Sequence, residues 1–203
     1  MGGFVQSEKN LDNKFRKDRP QNCWIYDDAM AYEDAEVSGN AVARGKAQIF
    51  GNAEIDGYAT ITGKAKVYDN ACVSGSAQIG AGAEIFDQAG VGDSASVRDK
   101  AKIYGGAYIS GDAGVRGEVR VYGEAEVSGD AKVSGNAKVH ENACVSDKAQ
   151  ISGDAEVFGR ATVEEKASVG GDAKVYGNAH IHGQARIYGS AEVFEDEIGR
   201  AHV

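Results

Sequence analysis

The chain has 203 residues with 31 acidic against 22 basic side chains, giving a formal net charge of −9. That balance argues against DNA or RNA as a main ligand, because phosphate binding needs a basic stripe. Glycine is abundant at 28 and proline nearly absent at 1, which fits a coil with many tight corners, and no G-X-Y period points to collagen.

No apolar run is long enough to cross a membrane and no signal peptide is evident, so a cytosolic protein without a membrane partner is expected. The cysteines are Cys23, Cys72 and Cys144. An odd number without a CxxC argues against a disulfide framework or a structural zinc site. Free thiols are the simpler reading.

Residues 1–24 hold most of the non-repeating sequence, including Phe4, Phe15 and Pro20, and are read as an N-terminal cap. From Ala29 to Ala191 every sixth residue falls in one slot, and 27 of 28 such positions are Ala, the exception being Val119. Two residues after each comes Val or Ile. From Ile25 to Val193 this holds at 27 of 29 positions, with Ala31 and Ala43 departing. A fixed short period marks a repeat whose units bury their apolar faces only by stacking on the next.

A typical hexad is Val37-Ser38-Gly39-Asn40-Ala41-Val42. The aliphatic residue points in and its two neighbours out, as in a short strand. Gly, in 18 of 29 hexads, then turns a corner, and Asp or Asn often accompanies it. These residues tolerate positive φ. Ala fills the inside of the corner. The spacing does not suit an amphipathic helix.

A second period sets the coil size. The residues after every third aliphatic position are Tyr32, Phe50, Tyr68, Phe86, Tyr104, Tyr122, His140, Phe158, Tyr176 and Phe194, with a step of 18. Three hexads therefore make one triangular coil, and the aromatic comb lies on one outer face. Twenty-nine hexads give nearly ten coils and a rod about 45 Å long. Glu195-Asp196-Glu197 breaks the pattern and is expected to blunt the open end with charge. The solenoid is assigned to residues 25–198, and 199–203 to a tail.

The pattern [VI]-x-x-x-A-x over residues 25–198 resembles the hexapeptide repeat of left-handed parallel β-helices. The resemblance implies left-handedness, an exception to the right-handed crossover rule. Residues Gly2-Gly3-Phe4-Val5 onward to Leu11, then Asn22-Cys23-Trp24-Ile25-Tyr26-Asp27-Asp28-Ala29, resemble the lead-in of phage- and prophage-borne members, which are labelled transferases or polymer-forming proteins. In that group a short β-rich segment usually precedes this lead-in, so the resemblance implies that part of the cap lies ahead of residue 1. The class also implies a homo-oligomer, with a trimer favoured.

The aromatic face carries a companion column, Gln48, Lys66, Glu84, Lys102, Arg120, Lys138, Glu156, Lys174 and Glu192, in which opposite charges often sit one rung apart. A self-stacking ladder or a self-association face would each explain such a ribbon. Sugar or base stacking is a third use. The second face is small, acidic and polar, running from Glu36/Ser38 through Glu54/Asp56 and Cys144/Ser146 to His180/His182. The third runs from Thr60/Thr62 through Ser96/Arg98, Gly114/Arg116 and Lys132/Ser134 to Arg186/Tyr188. Threonine pairs occur once, so no ice-binding array is present.

Hexapeptide acyltransferases use a histidine base near a subunit boundary, so the resemblance directs attention to His180 and His182. Glu164 lies one rung below His182 and is expected to orient it. No loop interrupts the hexads and no C-terminal helical domain is expected, which lowers the case for catalysis. A γ-type carbonic anhydrase needs three converging histidines, and His140 sits on a different face. No phosphate loop and no Ser/His/Asp arrangement is found.

The sequence thus predicts an all-β parallel β-helix in which three strands, one from each of three hexads, make a coil. The expected function is a non-catalytic scaffold self-associating through the aromatic face, with neither metal nor cofactor. One alternative is a trimeric acyltransferase moving an acyl group from acyl-CoA to a sugar or amine. The other is an oligomer that holds a small ligand between subunits.

Overall fold

The structure, a computed structural model, describes residues 2–11, 22–195 and 197–198. Phe15 and Pro20 lie outside these residues. From Trp24 the chain winds through strands two or three residues long at six-residue intervals, and every third strand joins the same sheet. Three parallel sheets result. The aromatic sheet has 11 strands and runs from Phe4–Val5 through Met30–Ala31 to Glu192–Phe194. The second sheet has 10 strands, Glu36–Val37 to Glu197–Ile198. The third also has 10, Trp24–Ile25 to Arg186–Ile187. Partners within a sheet stand three hexads apart, as in Glu84↔Lys102 and Ile85↔Ile103.

The core is made of the two inward slots. The alanines from Ala29 to Ala185 are no more than 1% exposed, and so are the aliphatic residues from Ala31 to Ile187. Each buried Val or Ile contributes about 1.5–3 kcal/mol. Val119 fits the alanine slot fully buried, and Ala31 and Ala43 fill the aliphatic slot in the first coils. Between coils the ladder is regular. Trp24 donates its N–H to Ala41 O at 3.0 Å, Tyr26 to Ala43 O at 2.8 Å and Asp28 to Gly45 O at 2.9 Å.

The corner position after each strand has positive φ in every hexad from Asp27 to Glu195. Glycine holds 18 of these positions, as the sequence suggests, and aspartate six. Four glutamates and Ala81, which the corner rule does not anticipate, hold the others. The acidic corners have a second role. Asp87 Oδ2 accepts the N–H of Gly105 at 3.1 Å, Asp93 Oδ2 that of Gly111 at 3.0 Å, and Glu33 Oε2 that of Gly51 at 2.8 Å. A carboxylate at the corner thus bonds the corner N–H one coil further on, which offsets part of the cost of a left-handed conformation without glycine.

The first turn of the coil is covered from the N-terminal side. Phe4–Val5 pairs in parallel with Met30–Ala31, and a 3₁₀ turn, Glu8–Leu11, follows. Asn10 is fully buried there. Its Nδ2 donates to Glu33 O at 3.1 Å and Ala35 O at 2.8 Å, and its Oδ1 accepts the N–H of Ser7 at 3.0 Å. Val5 and Leu11 pack on the core, while Phe4 is exposed. At the other end the coil runs past Glu195, while Asp196 lies outside the described residues. Glu197–Ile198 pairs with His180–Ile181, where an unbroken step of three hexads would have brought Ile198 opposite His180. The repeat continues there one residue short.

Candidate functional site

The comb forms a ladder of stacked rings. From Tyr32 to Phe194, successive centroids lie 4.6 to 5.4 Å apart with interplanar angles of 1° to 18°. This spacing matches the rung of a parallel sheet, about 4.8 Å. Each ring therefore covers the next, and the inner rings present edges, not faces, to solvent. Sugar rings or bases cannot stack on them as on an open platform. His140 takes the place of an aromatic residue in this register, 4.6 Å from Tyr122 and 5.1 Å from Phe158.

Charge follows the rings. Glu156 Oε1 lies 3.1 Å from His140 Nε2 and 3.4 Å from Lys138 Nζ. Burial works against ionisation of Glu156, but His140 and Lys138 outweigh it and hold the carboxyl below its ordinary range. Glu84 pairs with Lys102 at 3.0 Å. Among the described residues Lys66 and Lys174, also expected in this alternation, join no ion pair. Exposed pairs of this kind contribute about 0–1 kcal/mol each. The phenol of Tyr68 is pushed up to about 12, first by burial between its neighbours and then by Glu84, Asp69 and Asp87. It stays neutral in the stack at physiological pH.

The histidine cluster differs from the sequence reading. Glu164 Oε1 lies 2.7 Å from His180 Nε2, so Glu164 orients the His180 imidazole. The register puts Thr162 opposite His180, which leaves Glu164 opposite His182. The glutamate instead crosses the strand diagonally, a reach open to long side chains on a sheet face. The two imidazole rings sit 4.9 Å apart at 37°. The side chains of His180 and Glu164 are 41% and 32% exposed, so the pair lies on the outer face of the sheet, partly open to solvent.

Among the described residues no three His, Cys, Asp or Glu side chains converge as metal ligands. All three cysteines are free. Burial first, then carboxylates nearby, push the thiols of Cys72 and Cys144 up, the reverse of an activated nucleophile.

A chain wound into a parallel three-sided coil of three hexads, with Ala and Val or Ile inside, is a β-solenoid. Residues 65–81, about one coil, match the family described as YdcK Beta solenoid repeat. No curated protein matches the chain.

Proposed function

We propose that the chain is a non-catalytic β-solenoid scaffold that binds further copies of itself through the aromatic sheet. The observation that carries this reading is the unbroken ladder from Tyr32 to Phe194, whose ring edges line one side of the rod from end to end. Stacking makes the column straight and rigid, so little side-chain entropy is lost when a second column packs on it. Lysines and glutamates on the adjoining column supply a charged rim. Parallel-axis trimers, a left-handed winding and a cytosolic setting without nucleic-acid or membrane partners belong to the same reading.

The test is the mass of the chain in solution. Wild-type protein should scatter light as a multiple of its own mass, and a variant with Phe86, Tyr104 and Tyr122 replaced by Ser should fall towards the monomer with its β-sheet signal retained. A wild type that stays monomeric at high concentration, or a variant assembled like the wild type, would count against the interface.

The His180–Glu164 hydrogen bond favours a second reading, an acyltransferase with His180 as general base. It would need a neighbouring copy to wall the site, because the hexads from Ile25 to Val193 run without an inserted loop. Acyl-CoA would be its donor.

A further inference from the structure

The third sheet is the unusual one for a chain of net charge −9. Its outward positions from Trp24 to Tyr188 carry Arg44, Arg98, Arg116, Lys132 and Arg186, all exposed, and no Asp or Glu. The second sheet is its opposite, with Glu36, Glu54, Asp56, Glu126 and Glu164 outward and no Lys or Arg. The cations of the third sheet are not evenly spread. Arg98, Arg116 and Lys132 occupy three consecutive rungs.

Like charges on neighbouring rungs oppose one another. On the aromatic sheet carboxylates relieve this, as Glu84 does for Lys102. Here nothing does. Arg98 turns away to donate to Gln78 Oε1 at 2.9 Å. Among the described residues neither Arg116 nor Lys132 pairs with a carboxylate.

The cations surround a hole. An added Cβ at Gly114 would meet nothing within 4 Å. Of the other outward glycines, Gly80 has Thr62 and Arg98 within 4 Å, and Gly90, Gly92 and Gly170 are roofed by a tyrosine from the next coil. Tyr108 lies over Gly90 and Gly92, its Cδ2 2.6 Å from a Cβ built at Gly90, and Tyr188 lies over Gly170 and bonds Ser168 at 2.9 Å. Lys132 is the next-coil neighbour of Gly114 and leaves it open. The resulting pit has a volume of about 310 Å³ and is lined by Ser96, Arg98, Arg116, Lys132, Ser134 and Gln150, among others.

We infer that this pit binds a small polyhydroxylated acid, of the size of one uronic acid or one sugar phosphate. Arg116 and Lys132 pair with its oxyanion, the guanidinium with two parallel hydrogen bonds and the ammonium as a point charge. Ser96, Ser134 and Gln150 meet its hydroxyls. A volume near the lower bound of small-ligand sites admits one such molecule. The acidic remainder of the rod repels a long polyanion, which restricts the ligand to a small one. The site lies on a different sheet from the aromatic ladder and stands whether or not the copies associate.

Calorimetric titration of the full chain tests it, with glucuronate, glucose 6-phosphate, glucose and inorganic phosphate as probes. At least one of the two acids should bind. Glucuronate alone would identify a carboxylate ligand and glucose 6-phosphate alone a phosphate ester. Glucose should bind at least about tenfold more weakly, and Arg116→Gln with Lys132→Gln should weaken the acid by at least about tenfold. Gly114→Gln fills the pit without changing charge and has open space to occupy, so binding should be lost with the unfolding midpoint unchanged. No heat from either acid at about 10 mM would overturn the assignment. So would unchanged affinity in the folded Gly114→Gln protein, glucose binding as tightly as the acids, or phosphate alone binding as tightly as its sugar ester.

Discussion

Inserting five residues after Gly129 should unfold the coils beyond it while the coils before it remain. A hexad less one residue displaces every downstream slot by one, so the inward Ala and Val or Ile positions turn outward and polar residues turn in. Each displaced coil loses three buried aliphatic side chains, at about 1.5–3 kcal/mol apiece. No local rearrangement recovers that over the coils from Ala131 onward. Proteolysis should remove the C-terminal part, and the β-sheet signal should fall in proportion. An inserted full hexad is the control. It keeps the core in phase and should fold, but it moves the rings from His140 onward to another face and splits the ladder. Equal stability of the five- and six-residue insertions would show that the six-residue period does not hold the core. The one-residue shortfall before Glu197 is tolerated where the described strands end.

Replacing Gly117 by Ala should cost about 1–3 kcal/mol, the range for a strained backbone conformation. Gly117 has φ +92, and a Cβ there would stand 2.5 Å from the carbonyl oxygen of Gly135 in the next coil. Both strain and a backbone clash oppose the substitution. The same column of corners contains the opposite case. Ala81 already sits at φ 56. Ala81→Gly removes the penalty for an alanine in the left-handed region and should be neutral or stabilising by up to about 1 kcal/mol. The urea midpoint should therefore fall for Gly117→Ala and hold or rise for Ala81→Gly. Destabilisation of the same size in both would mean that the corners carry no such strain.

The sequence made the coil legible because its signal is collective. Two locked periods, repeated over nearly thirty hexads, determine which residues point inward, where the corners fall and which strands pair. The structure follows them position by position, from Ile49 and Ala53 in the core to Gly39 and Gly45 at the corners. Features decided by single side chains were less accessible. Register places Glu164 beside His182, yet its flexible chain reaches His180, and periodicity carries no information about that choice. The comb is visible as a column for which a self-stacking ladder is one reading, but periodicity leaves open whether its rings cover one another's faces. That depends on a χ1 shared along the whole column. The buried Asn10 lies in non-repeating sequence, where no period marks it. The segregation of charge between the second and third sheets was present in the residues themselves. It becomes informative only when the open space at Gly114 is set beside it.

Incubation of purified protein with acetyl-CoA and a panel of amines and sugars, following release of free thiol, tests most directly whether the function lies in the surface and not in a reaction. The wild type and a His180→Ala variant are compared. The scaffold account predicts no thiol release above background in either protein, since His180 and Glu164 are partly open to solvent and no inserted loop stands over them. Turnover in the wild type that disappears in the variant would contradict the account and establish His180 as a catalytic base.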